Sequence, residues 1–463
     1  MAIGSGPTAG AVTDGGDALL RDAATRAIRY LGGLASRGVA PEPDAIARLS
    51  ALDAPLPEHA ADPAAVLALL DEIGSPATTA TAGGRFFGYV VGSSLPAALA
   101  ASWLAAAWDN DAGMASLCPI GAALEEVARR WLLDLLRLPP ESGIGFVTGG
   151  TMANFACLAA ARHALLAGVG WDVEADGLFG APPITVVVGA EAHASLFKAL
   201  ALLGFGRERV VRVPVDGQGR MLAEALPPLA GPTLVCIQAG NVNTGAFDPA
   251  AEVCARAREA GAWVHVDGAF GLWAAAAPDR AHLAAGFELA DSWAVDAHKW
   301  LNVPYDSGLA IVRDGAALRV AMGASAAYLA ATAGREPDQH TPEMSRRARG
   351  VEVWAALRSL GRDGVADLVE RCCRHAARFA EGLADAGFEV LNEVELNQVL
   401  VSFGDPERTS RVIAALQADG TCWCGGTTWQ GRTAMRISVS SWATTDEDVE
   451  RSLAAMLRAA ATA

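Results

Sequence analysis

The sequence predicts an α/β fold, in which a large, mostly parallel sheet carries helices on both faces and a smaller C-terminal α+β domain follows. Short β-rich runs alternate with helical segments from residue 145 to residue 313, the order that a parallel sheet requires. After about residue 361 the order changes to helix, two strands, helix, strand and helix. We therefore expect an N-terminal tail and helical arm over 1–75, a large domain over 76–360 and a small domain over 361–463.

The composition supports a large folded core and argues against several kinds of partner. Hydrophobic residues make up 52% of the 463 residues and charged residues 19%, which excludes a wholly disordered chain. Asp and Glu number 52 against 36 Lys and Arg, a net charge of −16, so nucleic acid is not an expected partner. The eight cysteines are irregularly spaced, which favours reduced core thiols over a disulfide scaffold or a metal site.

No export signal is visible near the N-terminus, because the first basic residue is Arg21 and no apolar block follows a basic start. We expect residues 1–16 to form a loose tail and the protein to be cytoplasmic. Residues 86–108 carry no charge and are long enough to span a bilayer, but glycines and Pro96 interrupt the first half. A buried helix over 97–108 is therefore predicted, without a membrane partner.

Each remaining element is predicted from its own pattern. Residues 120–138 place apolar side chains at helical spacing and stop at two prolines, which indicates an amphipathic helix. Runs rich in β-branched residues and bounded by turn residues indicate strands. Further helices are expected within 17–75 and at 152–167, 194–203, 249–260, 364–386, 407–418 and 444–460. Strands are expected at 145–148, 184–189, 209–215, 234–240, 263–269, 292–298 and 307–313, and in the segments FEVLN, NQVLVSF and TAMRISVS.

Lys299 ends an apolar strand, in the segment Ala297-His298-Lys299-Trp300. Burial lowers the pKa of a lysine and frees its amine for Schiff-base chemistry, which would explain a lysine at this position. By position alone, a surface lysine after a strand is the commoner case.

Asp267 ends another predicted strand and is followed by Gly268 and Ala269. The small neighbours leave room for a flat ring, and a carboxylate beside a pyridinium nitrogen keeps that nitrogen protonated. A helix N-cap or a turn aspartate is the alternative interpretation.

Two further motifs lie where a strand meets a helix. In Thr148-Gly149-Gly150-Thr151, glycine N–H groups at a helix start suit a phosphate, although the spacing of a dinucleotide or nucleotide loop is absent. His193 could stack on a cofactor ring. An ordinary tight turn and a histidine bonded to backbone are the alternatives.

All four motifs lie at the C-terminal ends of predicted strands, where open α/β sheets bind their ligands. Together they supply a phosphate cradle, a stacking ring, a pyridinium partner and an amine. This is the set of groups that pyridoxal 5′-phosphate (PLP) requires.

The chain resembles the group II PLP-dependent amino-acid decarboxylases, the family of the aromatic-amino-acid, glutamate, tyrosine and histidine-type enzymes. The resemblance covers about residues 80–450 and includes FFGYVVGSSLPAALAASWLAAAWDN, GFVTGGTMANFACLAAAR, NTGAFDP, HVDGAFG, DAHKWLNVPYDSG and RISVSSWATTDEDV. It implies PLP-dependent transferase fold type I and a homodimer with the active site between subunits. The implied reaction converts an L-amino acid to the amine and CO₂.

The resemblance also implies residue roles. Lys299 would hold PLP as a Schiff base, Asp267 would pair with the ring nitrogen, and His193 would stack over the ring. The other implied cofactor contacts are Gly149, Gly150, Thr151, Ala269, Asp296 and His298. Because a bare carboxylate repels a phosphate, Asp296 is expected to bind through a donor or to face elsewhere.

The family's mobile catalytic loop should lie between Tyr328 and Ser345, and in several members a tyrosine there delivers the Cα proton. This chain has four tyrosines, none of them within 329–345. His340 is the expected proton carrier, since an unperturbed imidazole has a pKa of about 6.5. A solvated loop histidine is the alternative. In some relatives, loss of that tyrosine diverts the decarboxylated intermediate to oxygen and yields an aldehyde.

The substrate pocket is predicted from the resemblance alone. Tyr89, Val90 and Asp111 lie in segments that line the side-chain pocket, and Val242 stands where some relatives carry a hydroxyl. Tyr89 suits an aromatic or apolar substrate, while core or interface packing is the alternative for these residues.

Three other functions compete with a decarboxylase. An oxygen-dependent aldehyde synthase and an aminotransferase belong to the same enzyme class, and a catalytically silent scaffold does not. Retention of Lys299, Asp267 and His193 together argues against the scaffold.

Overall fold

A seven-stranded, mostly parallel sheet forms the centre of the large domain. The structure is a computed structural model that describes residues 9–324 and 335–463. The strands are β1 (Gly143–Val147), β2 (Thr185–Gly189), β3 (Val211–Val213), β4 (Thr233–Gln238), β5 (Trp263–Asp267), β6 (Ser292–Asp296) and β7 (Gly308–Val312). They lie in the order β1-β7-β6-β5-β4-β2-β3. β7 is antiparallel to both of its neighbours, and the other pairs are parallel.

Helices cover both faces of this sheet, as the alternating pattern predicts. The helices are α1 (Ala9–Gly33), α2 (Pro43–Arg48), α3 (Pro63–Leu69), α4 (Pro96–Trp108), α5 (Pro119–Leu135), α6 (Gly150–Ala167), α7 (Val173–Asp176), α8 (Ala194–Leu202), α9 (Ala250–Glu259), α10 (Gly315–Met322), α11 (Gly350–Asp385), α12 (Pro406–Asp419) and α13 (Asp446–Thr462). Ala153, Ala156 and Ala160 of α6 are completely buried. Their small side chains let α6 pack closely on the sheet, so its N-terminus meets the end of β6.

A second, four-stranded antiparallel sheet lies in the C-terminal part. It contains β8 (Glu389–Val390), β9 (Gln398–Ser402), β10 (Gly425–Trp429) and β11 (Arg432–Ser438), in the order β10-β11-β9-β8. The sequence analysis did not predict β10, because Gly425 and Gly426 have low strand propensity. Its pairing with β11, Gly425 opposite Arg436, makes it a strand.

α11 breaks at Gly361, whose φ of 64° and ψ of −177° are not helical. Glycine reaches this conformation without the steric cost that a Cβ would bring. The boundary between a large and a small domain, predicted after residue 360, coincides with this break and stays a prediction.

The N-terminal arm is more helical than the sequence suggests. The expectation of a loose tail over 1–16 is wrong for residues 9–16, which belong to α1, and residues 1–8 lie outside the described residues. No proline interrupts α1, and each residue added to an existing helix gains a backbone hydrogen bond. Asp71 then ties the arm together through Arg26 (2.9 Å) and Arg29 (2.5 Å).

The uncharged segment 86–108 forms a loop followed by the helix α4, as predicted, but the expectation of a buried helix is wrong, because Ala98 is the only buried residue of α4 and Trp103, Leu104 and Trp108 are exposed. Within the described ranges no helix is long and apolar enough to cross a membrane. All eight cysteines are buried free thiols, as the composition predicts.

Candidate active site

Lys299 follows β6, and its side chain turns back toward the last residue of that strand. Nζ lies 3.0 Å from Oδ2 of Asp296, and the two side chains are 19% and 4% exposed. Nε2 of His298 lies 3.5 Å from Oδ1 of Asp296, an oxygen without a hydrogen-bond partner among the described residues. In this structure the Lys299 ammonium is the partner of Asp296, and both expectations for Asp296 beside a phosphate stay predictions.

Gly149, which precedes α6, and Gly150, its first residue, lie close to Asp296 and His298. A Cβ on Gly150 would lie 2.8 Å from Oδ2 of Asp296, and one on Gly149 would lie 2.8 Å from Cε1 of His298. Only glycine allows so close an approach, and it leaves the N–H groups of the helix start accessible to an anion. Thr151 lies in the first turn of α6.

His298 is held beside the cradle by its neighbours. Its Nδ1 accepts a hydrogen bond from the Ser307 N–H at 3.2 Å, and its ring centroid lies 4.4 Å from that of Tyr305. Burial lowers the pKa of His298 and raises that of Tyr305 to about 12, with the charge of Asp296 adding to the second shift. Tyr305 was missed in the sequence analysis, although the segment DAHKWLNVPYDSG contains it.

Asp267 ends β5, next to β6, and is 8% exposed. Its Oδ1 accepts from the Ala269 N–H at 3.3 Å, and its Oδ2 accepts from Nδ2 of Asn154 at 3.3 Å. A buried carboxylate in a fixed orientation is what a pyridinium nitrogen needs.

His193 caps the N-terminus of α8 at the same edge of the sheet. Its Nδ1 accepts from the Ser195 N–H at 3.2 Å and lies 2.8 Å from the Ser195 hydroxyl. Burial lowers the pKa of His193, although the charge of Asp267 opposes the shift. The ring is therefore neutral at pH 7, and with Nδ1 accepting, its proton resides on Nε2.

Arg436 of β11 brings a cation to this site from the small domain. Its guanidinium donates to the Val242 carbonyl at 3.1 Å, and its charge helps to lower the pKa of His193. Burial lowers its pKa. The sequence analysis missed Arg436, because a strand arginine gives no local signal of function, although RISVSSW was among the matching segments.

The predicted pocket residues have different surroundings. Tyr89 is 63% exposed and stacks on Trp423, with centroids 5.7 Å apart. Val90 is buried in the hydrophobic core. Asp111 accepts from the N–H groups of Gly113 (2.9 Å) and Arg346 (3.1 Å). Although burial opposes it, these bonds lower the pKa of Asp111.

The surroundings of His340 within its own chain are those of a core residue. Its side chain is 4% exposed, its Nδ1 donates to the Glu336 carbonyl at 3.0 Å, and its backbone packs against Gly145 in the middle of β1. Burial, with a contribution from Arg335, lowers its pKa to about 3. The catalytic role of His340 stays a prediction, and both observations argue against it. Tyr328 and residues 329–334 lie outside the described residues.

These groups fit PLP. The glycine cradle suits its phosphate, the buried carboxylate of Asp267 suits its ring nitrogen, and the amine of Lys299 suits its aldehyde. In the described part of the chain, no cluster of three or more His, Cys, Asp or Glu could hold a metal ion.

Comparisons with known proteins show the family of this chain. Residues 46–404 match the family model "Pyridoxal-dependent decarboxylase conserved domain". The L-2,4-diaminobutyrate decarboxylase of Rhizobium meliloti (strain 1021) is 30% identical over 383 residues, covering 78% of this chain and 74% of that protein.

Solved structures share the fold at low identity. Oryza sativa TDC with PLP and tryptamine superposes with a TM-score of 0.89 at 23% identity, covering 99% of both chains. The 4-hydroxyphenylacetaldehyde synthase of Rhodiola rosea superposes with a TM-score of 0.85 at 22% identity, covering 97% of this chain and 98% of that one.

Fold and site therefore define an α/β enzyme of PLP-dependent fold type I, as the sequence predicts. The chain belongs to the pyridoxal-dependent decarboxylase family, and its cofactor is PLP.

Proposed function

We propose that the protein is a homodimeric decarboxylase that converts an L-amino acid with an aromatic or apolar side chain to the amine and CO₂. The observation that carries this proposal is the convergence of Lys299, Asp267 and His193 at one edge of the sheet, in a chain of the decarboxylase family.

Bound PLP supplies an electron-accepting ring that takes up the electron pair released when the bond between Cα and the carboxylate breaks. Lys299 contributes the amine that attaches the cofactor and later takes part in product release. Asp267 keeps the ring nitrogen protonated, because its carboxylate is buried and held by two donors. His193 would cover the ring, and its Nε2 would carry the proton, because Nδ1 accepts from the Ser195 N–H.

Arg436 is the group best suited to the substrate carboxylate. One of its five donors bonds the Val242 carbonyl, its charge acts on His193, and Tyr89 lies close enough to oppose the lowering of the Arg436 pKa by burial. A guanidinium binds a carboxylate through paired N–H donors, so Arg436 can fix the direction in which the carboxylate leaves.

An aromatic stack supports the substrate preference. Trp423 lies between Phe86 (centroids 5.1 Å apart) and Tyr89 (5.7 Å), so Tyr89 presents an exposed aromatic face on a rigid base. Such a face packs against flat or apolar side chains. Oryza sativa TDC, solved with tryptamine, shares the fold and agrees with this preference.

Exposed apolar surface on the arm and on α4 supports the homodimer. Monomeric proteins rarely leave such large side chains uncovered on neighbouring helices. The exposed residues are Leu20, Ile28, Trp103, Leu104 and Trp108, at 71%, 63%, 42%, 57% and 41%. The active site between subunits and the absence of nucleic-acid and membrane partners belong to the same proposal. A cytoplasmic location is supported by the eight buried free thiols, which suit a reducing compartment.

A decarboxylating, oxygen-dependent aldehyde synthase is the second candidate. The predicted loop 329–345 contains no tyrosine, and the Rhodiola rosea 4-hydroxyphenylacetaldehyde synthase shares the fold. This reaction would consume O₂ and water and release the aldehyde, CO₂, ammonia and hydrogen peroxide.

A product screen by mass spectrometry tests both candidates. The PLP-loaded protein is given aromatic, aliphatic, acidic and cationic L-amino acids, in air and without oxygen, with Lys299→Ala as the inactive control. An amine formed equally in both atmospheres from aromatic or apolar substrates supports the decarboxylase. An aldehyde formed only in air supports the synthase, and turnover by Lys299→Ala would exclude the proposed mechanism.

A further inference from the structure

A series of hydrogen-bonded side chains leads to Asp267 along one face of the sheet, because Trp263, His265 and Asp267 alternate along β5. The indole N–H of Trp263 donates to Oγ of Ser292 at 2.9 Å, and that hydroxyl lies 2.9 Å from Nδ1 of His265. Nε2 of His265 lies 2.8 Å from Oδ1 of Asn154. His265 and Asn154 are both completely buried, so these bonds fix them without competition from water.

The donor and acceptor atoms allow only one donor-to-acceptor direction for this series of hydrogen bonds. Oδ1 of Asn154 can only accept, so Nε2 of His265 carries the proton. Nδ1 of His265 then accepts a hydrogen bond from the Ser292 hydroxyl. Burial lowers the pKa of His265 to about 3, so the ring is neutral, which agrees with this assignment.

The Asn154 amide divides its two N–H groups between two parts of the active site. Nδ2 lies 3.3 Å from Oδ2 of Asp267 and 3.3 Å from Oγ of Ser195. The Ser195 hydroxyl in turn lies 2.8 Å from Nδ1 of His193. One amide therefore links the expected partner of the ring nitrogen to the histidine expected over the ring.

We propose that Asn154 is a positioning residue that aims Asp267 at the ring nitrogen of the cofactor and ties it to His193, and that His265 sets the orientation of the Asn154 amide. If His265 did not donate to Oδ1, the amide could rotate by 180° and turn its oxygen toward the Asp267 carboxylate. Two oxygens facing each other there would push Asp267 away from its present position. The proposal rests on PLP being the cofactor of this site.

The test is the dissociation constant of PLP, measured by titrating the full-length apoenzyme and following the absorption and fluorescence of the bound cofactor. Asn154→Asp keeps the shape and the acceptor of Asn154 but removes both donors. We expect PLP to bind roughly tenfold or more weakly, since a hydrogen bond to the charged Asp267 is lost. The matched control is Asn397→Asp, another completely buried asparagine, whose amide bonds the Val439 carbonyl and Ser440 in the small domain. It should melt at a lower temperature but bind PLP as the wild type does.

A pair of His265 variants keeps the test informative if Asn154→Asp does not fold. His265→Leu removes the donor at similar volume and should weaken PLP binding, whereas His265→Gln can place an N–H near the position of Nε2 and should restore it. Equal PLP affinity in wild type, Asn154→Asp and His265→Leu would overturn the inference, and so would equal losses in His265→Leu and His265→Gln. Failure of the wild-type apoenzyme to bind PLP would instead overturn the proposed function.

Discussion

Oδ2 of Asp296 lies 3.0 Å from Nζ of Lys299, so the amine expected to carry the cofactor is held by a carboxylate three residues earlier. The same carboxylate faces the glycines at the start of α6, where the phosphate is expected. A phosphate bound at these glycines would bring a second anion close to Asp296. Asp296 would therefore oppose binding of a dianionic phosphate.

We expect Asp296→Asn to bind PLP more tightly than the wild type at pH 8, by roughly tenfold or more, because the charge repulsion is removed. The wild-type affinity should rise as the pH falls toward about 6, where a phosphate takes up a proton, and the variant should respond less. The measurement is a titration of the apoenzyme with PLP at several pH values.

Asp291→Asn is the matched control, because Asp291 precedes β6 at the opposite end of the same strand and accepts from the Val264 N–H. It should leave the pH dependence unchanged. Weaker PLP binding by Asp296→Asn at every pH would show that the carboxylate favours the cofactor.

Arg436→Gln tests the proposed carboxylate contact. We expect KM for the amino acid to rise roughly tenfold to a hundredfold, since a charge-assisted hydrogen bond is lost, while PLP affinity stays close to wild type. Arg432→Gln removes an exposed arginine of the same strand, paired with Glu389, and is the control. An unchanged KM in Arg436→Gln would remove Arg436 from the substrate site.

His340→Asn separates the structural role of this histidine from the predicted catalytic one. Asparagine can keep the N–H that donates to the Glu336 carbonyl, so we expect turnover and product to stay close to wild type. A general acid contributes roughly 10²- to 10⁴-fold, so a loss of that size would restore the catalytic role of His340.

The same variant should change the response of stability to acid. The pKa of His340 is about 3 in the folded state, against about 6.5 for a histidine in an unfolded chain. Below pH 6.5 the unfolded state therefore takes up a proton that the folded state does not, and the free energy of unfolding falls as the pH falls. Urea unfolding at pH 7.5 and pH 5 should show a smaller loss for His340→Asn than for the wild type.

Trp423→Leu tests the aromatic base under Tyr89. We expect a lower melting temperature and a higher KM for aromatic substrates, because Tyr89 loses the ring on which it stacks. Trp131→Leu is the control, since Trp131 of α5 stacks on Trp354 with centroids 6.2 Å apart, outside the site. It should lower the melting temperature without changing KM, and an equal rise in KM for both variants would show a general effect of instability.

The sequence alone predicted the fold class and the residues at the ends of the strands. Lys299, Asp267, His193 and the glycine pair each follow a strand, and the C-terminal ends of parallel strands meet at one edge of a sheet. Local sequence patterns were therefore enough to predict that these distant residues meet at one edge of the sheet. The segments that carried the family resemblance contain the same residues.

The tertiary structure decided which side chains support those residues. Asn154 and Arg436 give no local signal, because one lies inside a helix and the other inside a strand of the second sheet. β10 became a strand through its pairing with β11, and His340 became buried through packing on β1. A hydrogen bond or an ion pair between distant residues forms only where the helices or strands that carry them pack together. The whole core determines how these elements pack, whereas a sequence pattern contains information only about residues that are close along the chain.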